Sequence, residues 1–236
     1  MQYLGGKSKI RKQVAAFLES VRKPGQVYFE PFVGGGSVLQ EIPGERIAAD
    51  GNEALIAMYC ALQAGWVPPD FVSEEEYKYH SCMRNISDPM TAFCGFGVSF
   101  AGKWFGGYAR SKGMTCYAGI SKRSLLKQLP RIADVTFEAK SFTAHSPSGN
   151  LVYCDPPYAG TTAYGAFGGF DHDLFWQTMR SWSVNNTIVV SEYTAPSDFI
   201  CVREFSSQMG LTTAGERPKR TEKLFMHESQ ADMALI

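Results

Sequence analysis

Residues 27–36 have the sequence Val27-Tyr28-Phe29-Glu30-Pro31-Phe32-Val33-Gly34-Gly35-Gly36. The apolar run at its start predicts a short buried β-strand, and the three glycines predict a tight turn after it. Such a turn lets the backbone approach a ligand closely before a helix begins, and we expect that helix from about Ser37. The glycines have neither the GxGxxG spacing of dinucleotide-binding enzymes nor the Gly-Lys-Ser/Thr of a P-loop, so a nicotinamide-dependent enzyme is disfavoured.

The flanking segments extend this pattern into an α/β fold. Residues 8–20 have apolar side chains at helical spacing, with Ser8 as the predicted N-cap. Arg46–Asp50 predicts a second strand, and Asn52 can cap the helix that follows it. This order of strand, loop, helix, strand and helix is typical of a doubly wound, mostly parallel sheet of the Rossmann-like type.

Residues 65–133 interrupt the alternation of strands and helices. They begin with Trp66-Val67-Pro68-Pro69 and contain a glycine- and aromatic-rich loop from Phe96 to Tyr108. We therefore predict a small, mostly helical subdomain at 65–133, inserted into a main domain made of residues 1–64 and 134–236. After the insertion we predict strands at 135–138, 151–154 and 187–191, a helix at 171–182 capped by Asp171, and a terminal pair of antiparallel strands.

The charges balance overall but are unevenly distributed. The chain of 236 residues has 23 Lys and Arg and 23 Asp and Glu, and a net charge of zero argues against a protein that coats nucleic acid non-specifically. No acidic residue lies between Asp88 and Asp134. That interval contains the basic residues Lys103, Arg110, Lys112, Lys122, Arg123, Lys127 and Arg131. The pattern predicts a local basic surface.

The cysteines and the N-terminal segment restrict location and cofactor class. None of the six cysteines forms a CxxC pair or has a histidine at the spacing of a zinc site, so we predict reduced thiols in a cytoplasmic protein without a metal. Met1–Lys12 is polar and basic, unlike a signal peptide, and no apolar run approaches the roughly 20 residues of a membrane span. We expect no membrane partner.

Two acidic residues follow predicted strands and are candidate ligand contacts. Asp50 ends the second strand, where an acidic side chain accepts hydrogen bonds from a ribose in doubly wound nucleotide-binding folds; helix capping is the alternative. Asp155 opens the segment Asp155-Pro156-Pro157-Tyr158. Two prolines make a stiff turn that holds a carboxylate and a carbonyl oxygen as fixed acceptors, which suit the two N–H bonds of an amino group. Tyr158 offers a flat face to a ring.

The order of these segments resembles the Dam-type (D12 class, alpha group) DNA adenine-N6 methyltransferases. The matching segments are Tyr3-Leu4-Gly5-Gly6-Lys7, Phe29–Gly36, Asp50 and Asp155-Pro156-Pro157-Tyr158, with the inserted region before the last of them. The resemblance spans nearly the whole chain and implies a Rossmann-like methyltransferase fold. It also implies a site-specific enzyme that transfers a methyl group from S-adenosylmethionine to the N6 amino group of an adenine flipped out of double-stranded DNA.

The resemblance assigns roles to individual residues. The implied catalytic residues are Asp155, Pro156 and Tyr158. The implied cofactor-binding residues are Tyr3, Gly5, Gly6, Lys7, Glu30, Phe32, Gly34, Gly35, Asp50, Ser141, Phe142 and Asp155. Ser141 stands where the family commonly has Asp, whereas Phe142 matches and is expected to pack on the adenine of the cofactor. The implied DNA contacts are Lys103, Trp104, Arg110, Lys112, Lys122 and Arg123, and the segment 100–104 is expected to carry base contacts or an intercalating ring.

The residues by themselves leave alternatives open. The amino group can belong to RNA adenine, to cytosine N4 or to a protein glutamine, or the chain can be a catalytically inactive DNA-binding relative. The Asp before Pro156 favours adenine, and the intact Asp155-Pro156-Pro157-Tyr158 turn favours an active enzyme. We expect a monomer or a weak dimer on DNA. The recognition sequence and the setting, whether solitary, restriction-modification or phage, do not follow from these residues.

Overall fold

The computed structural model describes residues 1–110, 116–158, 169–208 and 219–232. Its strands are β1 (Val27–Glu30), β2 (Arg46–Asp50), β3 (Thr136–Ala139), β4 (Asn150–Cys154), β5 (Thr187–Glu192), β6 (Phe199–Gln208) and β7 (Lys219–His227). They form one sheet in the order β3-β2-β1-β4-β5-β7-β6. The pairs from β3 to β5 are parallel, whereas β7 pairs antiparallel with β5 and β6. The predicted mostly parallel sheet with an antiparallel end is confirmed and is compatible with a methyltransferase fold.

Helices cover both faces of this sheet. The α-helices are α1 (Arg11–Val21), α2 (Glu53–Gln63), α3 (Glu74–Met83), α4 (Pro89–Ala92), α5 (Tyr117–Gln128), α6 (His172–Ser183) and α7 (Glu228–Ala231). Successive strand residues point to opposite faces, so Tyr153 joins the buried cluster under α1 and α2, and Cys154 joins the cluster under α6. Because both faces are buried, the central strands β1, β4 and β5 are mostly apolar, whereas the edge strand β3 is partly exposed.

Two local predictions near the start of the chain are wrong. Helix α1 begins at Arg11, and the residue before it, Ile10, makes no side-chain capping bond; Ser8 lies outside the helix. The glycine turn leads into a 3-10 turn at Leu39–Glu41 instead of an α-helix from Ser37. Leu39 and Ile42 are both buried, and Pro43 follows directly, so this connection has no room for a full helix before β2 begins. The predicted caps at Asn52 and Asp171 are confirmed.

Within 65–133, the described residues 65–110 and 116–133 are largely helical, and their buried side chains share a core with the rest of the chain. They contain α3, α4 and α5, with a π-helical turn at Phe93–Gly97 and 3-10 turns at Phe100–Gly102 and Leu129–Arg131. Their buried side chains Phe93 and Leu125 belong to the same cluster as Val14 of α1 and Tyr28 of β1. The role of this region as an inserted recognition subdomain therefore remains a prediction.

Three further features concern the cysteines, membrane-spanning helices and metal ligands. All six cysteines are free thiols in the structure. Across residues 1–110, 116–158, 169–208 and 219–232, no helix is long and apolar enough to cross a membrane. Over the same ranges, no three His, Cys, Asp or Glu side chains are grouped so that they could hold a metal ion.

Candidate active site

Tyr3 covers the glycine turn at the carboxyl end of β1. A Cβ atom added at Gly34 would lie 2.7 Å from Cε1 of Tyr3, and one at Gly35 would lie 2.9 Å from its Cβ. The φ angle of Gly34 is 46°, a conformation that side chains rarely adopt. The Tyr3 ring also contacts Phe96, with ring centroids 4.7 Å apart. The glycines are therefore required by packing against the N-terminal segment, in addition to any ligand that approaches the turn.

Two buried side chains that sequence reasoning did not identify hold the carbonyl groups of this turn. The hydroxyl of Tyr59 in α2 donates to the carbonyl of Gly34 at 2.9 Å. The amide of Gln128 in α5 donates to the carbonyls of Gly35 and Gly36 at 3.1 and 2.9 Å. Because α5 belongs to residues 65–133, that region helps to fix the turn itself. No local motif marks either residue, since both are ordinary members of amphipathic helices.

Asp50 receives two backbone hydrogen bonds at the end of β2. The N–H of Gly34 donates to its Oδ2 at 3.0 Å, and the N–H of Asn52 donates to its Oδ1 at 2.9 Å. Burial raises the pKa of the Asp50 carboxyl to about 6, and the two backbone donors only partly offset this effect. A carboxylate has about four acceptor positions, so it can take two further donors from a diol.

An aromatic cluster lies beyond the turn. The ring of Phe32 is 5.3 Å from that of Phe142 and 5.9 Å from that of Phe170, between centroids. Phe142 is buried in a 3-10 turn at Phe142–Ala144. Ser141 caps that turn, accepting a 3.4 Å hydrogen bond from the N–H of Thr143. The cluster offers an apolar surface to a purine, and the Ser141 hydroxyl uses one of its two lone pairs in this cap.

Lys7 joins the N-terminal segment to the Asp155-Pro156-Pro157-Tyr158 turn. Its Nζ lies 2.7 and 2.8 Å from the two carboxylate oxygens of Asp155, 148 residues away in the sequence. The turn of Gly5 and Gly6 directs Lys7 inward, and Nζ also donates to the Gly5 carbonyl at 3.3 Å. The side chain of Lys7 is 6% exposed and that of Asp155 is 19% exposed. The predicted N-terminal and catalytic segments therefore meet in one ion pair.

The ionisable groups around this pair are strongly perturbed. Burial raises the pKa of the Asp155 carboxyl, even though Lys7 opposes the shift. Burial lowers the pKa of the Lys7 ammonium, but Asp155 and Glu222 together raise it above its ordinary value. Glu30 is almost fully buried, and burial raises the pKa of its carboxyl far above the usual range. Glu30 accepts a 2.8 Å hydrogen bond from the hydroxyl of Tyr28. Such groups favour a functional site.

Tyr158 is held by side chains from two other strands. Its hydroxyl donates to Glu222 of β7 and lies 3.1 Å from the hydroxyl of Ser191 of β5. Its ring makes an edge contact with Tyr193 at 4.7 Å between centroids, and the ammonium of Lys7 lies 4.8 Å from its centroid. The tyrosine therefore lies beside the Asp155 carboxylate, as the turn predicts. Pro156 is buried directly after Asp155. Sequence reasoning missed Glu222, which it placed only within a strand.

The predicted DNA contacts differ in their surroundings. Lys103 and Arg123 are exposed, whereas Arg110 contacts Glu74 at 2.5 Å and Lys122 contacts Asp70 at 2.7 Å. Trp104 is half-buried against Phe96 and Phe105, with centroids 4.7 and 4.8 Å away. The most exposed ring of this segment is that of Phe100, at 68% exposure. Lys112 lies outside the described residues.

Together these residues lie at the carboxyl ends of parallel strands, the edge at which open α/β sheets bind their ligands. A glycine turn, an acidic residue at the end of β2 and an Asp-Pro-Pro-Tyr corner meet on a sheet compatible with a methyltransferase fold. Residues 3–86 match the family described as D12 class N6 adenine-specific DNA methyltransferase. The resemblance inferred from the motifs is thereby confirmed over that range and supports a DNA adenine methyltransferase. No match was found among curated proteins.

Proposed function

We propose that this chain is a site-specific DNA methyltransferase that methylates the N6 amino group of an adenine extruded from double-stranded DNA, with S-adenosylmethionine as donor. One observation carries the proposal. Lys7 lies within the family-matched segment 3–86, and it binds Asp155, which lies outside that segment in the Asp-Pro-Pro-Tyr corner. The contact links segment 3–86, which matches the family, to the Asp155-Pro156-Pro157-Tyr158 turn, whose oxygen atoms can accept hydrogen bonds from an amino group.

The side chains beside the glycine turn suit the binding of S-adenosylmethionine. Asp50 retains acceptor positions for the two hydroxyls of a ribose. Phe32 and Phe142 supply an apolar surface for the adenine ring of the cofactor. The exposed hydroxyl of Ser141 uses one lone pair to cap its turn and keeps a second for the adenine amino group. The N-terminal segment Tyr3–Lys7, with Glu30, Gly34 and Gly35, would enclose the methionine end. When bound, the cofactor supplies an electrophilic methyl group on a sulfonium.

The corner residues would position the target base. Each carboxylate oxygen of Asp155 keeps an acceptor position beside Lys7, so one N6 hydrogen can be bound without displacing the ammonium. The carbonyl of Pro156 would accept the second N6 hydrogen, and Tyr158 would stack on the ring. These contacts direct the nitrogen lone pair toward the donor, and positioning supplies much of the rate. The raised pKa of Asp155 suits it to accept the proton that the nitrogen releases after methylation.

Residues 65–133 would form the DNA-recognition region, and residues 1–64 and 134–236 the catalytic domain. An adenine inside the duplex must be unstacked before its amino group can be reached, at a cost of a few kcal/mol. The exposed ring of Phe100 can fill the vacated position, whereas Trp104 is held by Phe96 and Phe105 and would support it. Lys103, Arg110, Lys112, Lys122 and Arg123 would bind phosphates, and the protein would act as a monomer or a weak dimer.

The decisive variant is Asp155→Asn. We expect methyl transfer from labelled cofactor to duplex DNA to fall by about a hundredfold or more, because an amide presents one acceptor and one donor to the amino group. Cofactor affinity, measured by calorimetry, should change little. The matched control is Asp173→Asn, an exposed carboxylate of α6. Label in RNA, in protein or at cytosine N4 instead of adenine would refute the substrate, and full activity of Asp155→Asn would refute the mechanism.

A further inference from the structure

Three donor groups from separate parts of the chain converge on one oxygen of Glu222. The hydroxyl of Ser191 donates to Oε1 at 2.7 Å, the hydroxyl of Tyr158 donates to the same atom, and the ammonium of Lys7 lies 3.5 Å from it. The side chain of Glu222 is 13% exposed. Neither the family match at 3–86 nor the sequence motifs assign a role to this carboxylate.

The topology of the sheet explains how Glu222 reaches the site. Strand β7 runs antiparallel to β5, and Leu224 pairs with Ser191. The start of β7 therefore lies at the carboxyl end of β5, next to the corner that follows β4. Residues 222 and 224 share one face of the strand, and Leu224 lies in the same buried cluster as Tyr153. On that face of β7, Leu224 therefore packs in the core, and Glu222 lies beside the Asp155-Pro156-Pro157-Tyr158 turn.

We propose that Glu222 is a positioning residue that fixes Tyr158 and Lys7, and through them the pocket for the target base. This inference rests on the proposed function and deepens it. Tyr158 has an acceptor for its hydroxyl and an edge contact with Tyr193, so the ring is restrained at both ends. A ring ordered before the base arrives loses less conformational entropy when the base stacks on it.

Glu222 also divides the charge of Lys7 between two carboxylates. The ammonium lies 2.7 Å from Asp155 and 3.5 Å from Glu222, so it faces both with one positive charge. Without Glu222, the ammonium is attracted to Asp155 alone, and the acceptor strength that Asp155 can offer to an amino group falls. Both consequences act on the binding and alignment of the base, while Lys7 keeps its contact with the Gly5 carbonyl in the N-terminal segment.

The test compares Glu222→Gln with Glu204→Gln, a half-exposed carboxylate on β6 whose oxygen lies 3.6 Å from Lys223. For Glu222→Gln we expect kcat for methyl transfer to fall about ten- to hundredfold, the value of a hydrogen bond to a charged group. The KM for S-adenosylmethionine should change less than kcat, because Glu222 acts on the cofactor side only through Lys7, and the thermal midpoint should stay near that of the wild type. Glu204→Gln should match the wild type in every measurement. Equal activity of the two variants would overturn the inference.

A double-mutant cycle with Tyr158→Phe tests whether Glu222 affects kcat through the Tyr158 hydroxyl. If Glu222 acts through the Tyr158 hydroxyl, the two losses in kcat will be markedly less than additive, whereas full additivity would contradict the inference. NMR of protein labelled at tyrosine Cζ tests the contact without any activity, because that shift responds to the hydroxyl hydrogen bond. The Tyr158 resonance, assigned by its loss in Tyr158→Phe, should move in Glu222→Gln only. If the wild type is inactive but the Tyr158 resonance moves in Glu222→Gln, the proposed function is refuted and the hydrogen bond between Tyr158 and Glu222 is supported. If the resonance does not move, that hydrogen bond is refuted.

Discussion

Asp50 combines two features that oppose each other at the level of a single residue. Burial raises the pKa of its carboxyl to about 6, while the N–H groups of Asn52 and Gly34 favour the ionised form. A ribose hydroxyl needs the ionised carboxylate as its acceptor. The fraction of the protein competent to bind a nucleoside therefore rises as the pH passes upward through about 6 and is complete well above it.

This titration predicts a pH dependence of cofactor affinity. At pH 5, one unit below a pKa of about 6, only about a tenth of Asp50 is ionised, so affinity should be about tenfold weaker than at pH 8. Calorimetry across this range measures the effect. Asp50→Asn should bind more weakly and lose the dependence, whereas Glu53→Gln, an exposed neighbour in α2, should keep it. Wild-type affinity that stays constant from pH 5 to pH 8 would show that Asp50 is not the ribose ligand.

The sequence identified residues whose chemical type and position suggest a function. It did not identify the residues that contact them. Asp50 and Asp155 were identified because each follows a buried strand. Glu222 and Gln128 look ordinary in the sequence, and their contacts lie 64 residues from Tyr158 and 93 residues from Gly35. Such contacts depend on how the sheet brings distant segments together, which local periodicity does not encode.

At the scale of elements, β1, β4 and β5 could be predicted because each is a short, mainly apolar run between turn residues. The failure after Gly36 has a physical cause. Val38, Leu39 and Ile42 are all buried, and Pro43 follows with no N–H to continue a helix, so a compact 3-10 turn buries these side chains before β2 begins. Burial by the surrounding core therefore decided the structure of a segment whose local signals favoured a helix.

The dependence of the glycine turn on α5 predicts the effect of Gln128→Ala. The variant leaves the carbonyls of Gly35 and Gly36 without their side-chain donor and should lower the free energy of unfolding by about 1–3 kcal/mol. It should also weaken cofactor binding, because the turn is no longer held. Denaturant unfolding and calorimetry measure the two effects. Lys127→Ala, at the exposed position before it, is the control. Unchanged stability and affinity would mean that the turn holds its shape without α5.

At the scale of the whole molecule, basic residues that have no acidic neighbours in the sequence have acidic neighbours in the folded structure. The interval from Asp88 to Asp134 lacks acidic residues, yet Arg110 contacts Glu74, Lys122 contacts Asp70, and Arg131 contacts Glu41. Acidic side chains from other segments thus partly neutralise the predicted basic surface. Lys103 and Arg123 remain exposed, with no ion pair to any residue that the structure describes. Among the described basic residues predicted to contact DNA, these two have no carboxylate that competes with a phosphate.

The salt dependence of DNA binding tests that distinction. Each phosphate contact contributes about 0.9 to the slope of log affinity against log salt concentration, so Lys103→Ala and Arg123→Ala should each reduce the slope by about that amount. Lys122→Ala should reduce it less, because Lys122 must first leave Asp70. Fluorescence anisotropy with a duplex at several salt concentrations measures the slope. Lys23→Ala is the control, because Lys23 is exposed just before β1, at the amino end of the sheet. A larger effect for Lys23→Ala than for Arg123→Ala would place the DNA on the opposite side of the molecule, away from Asp155.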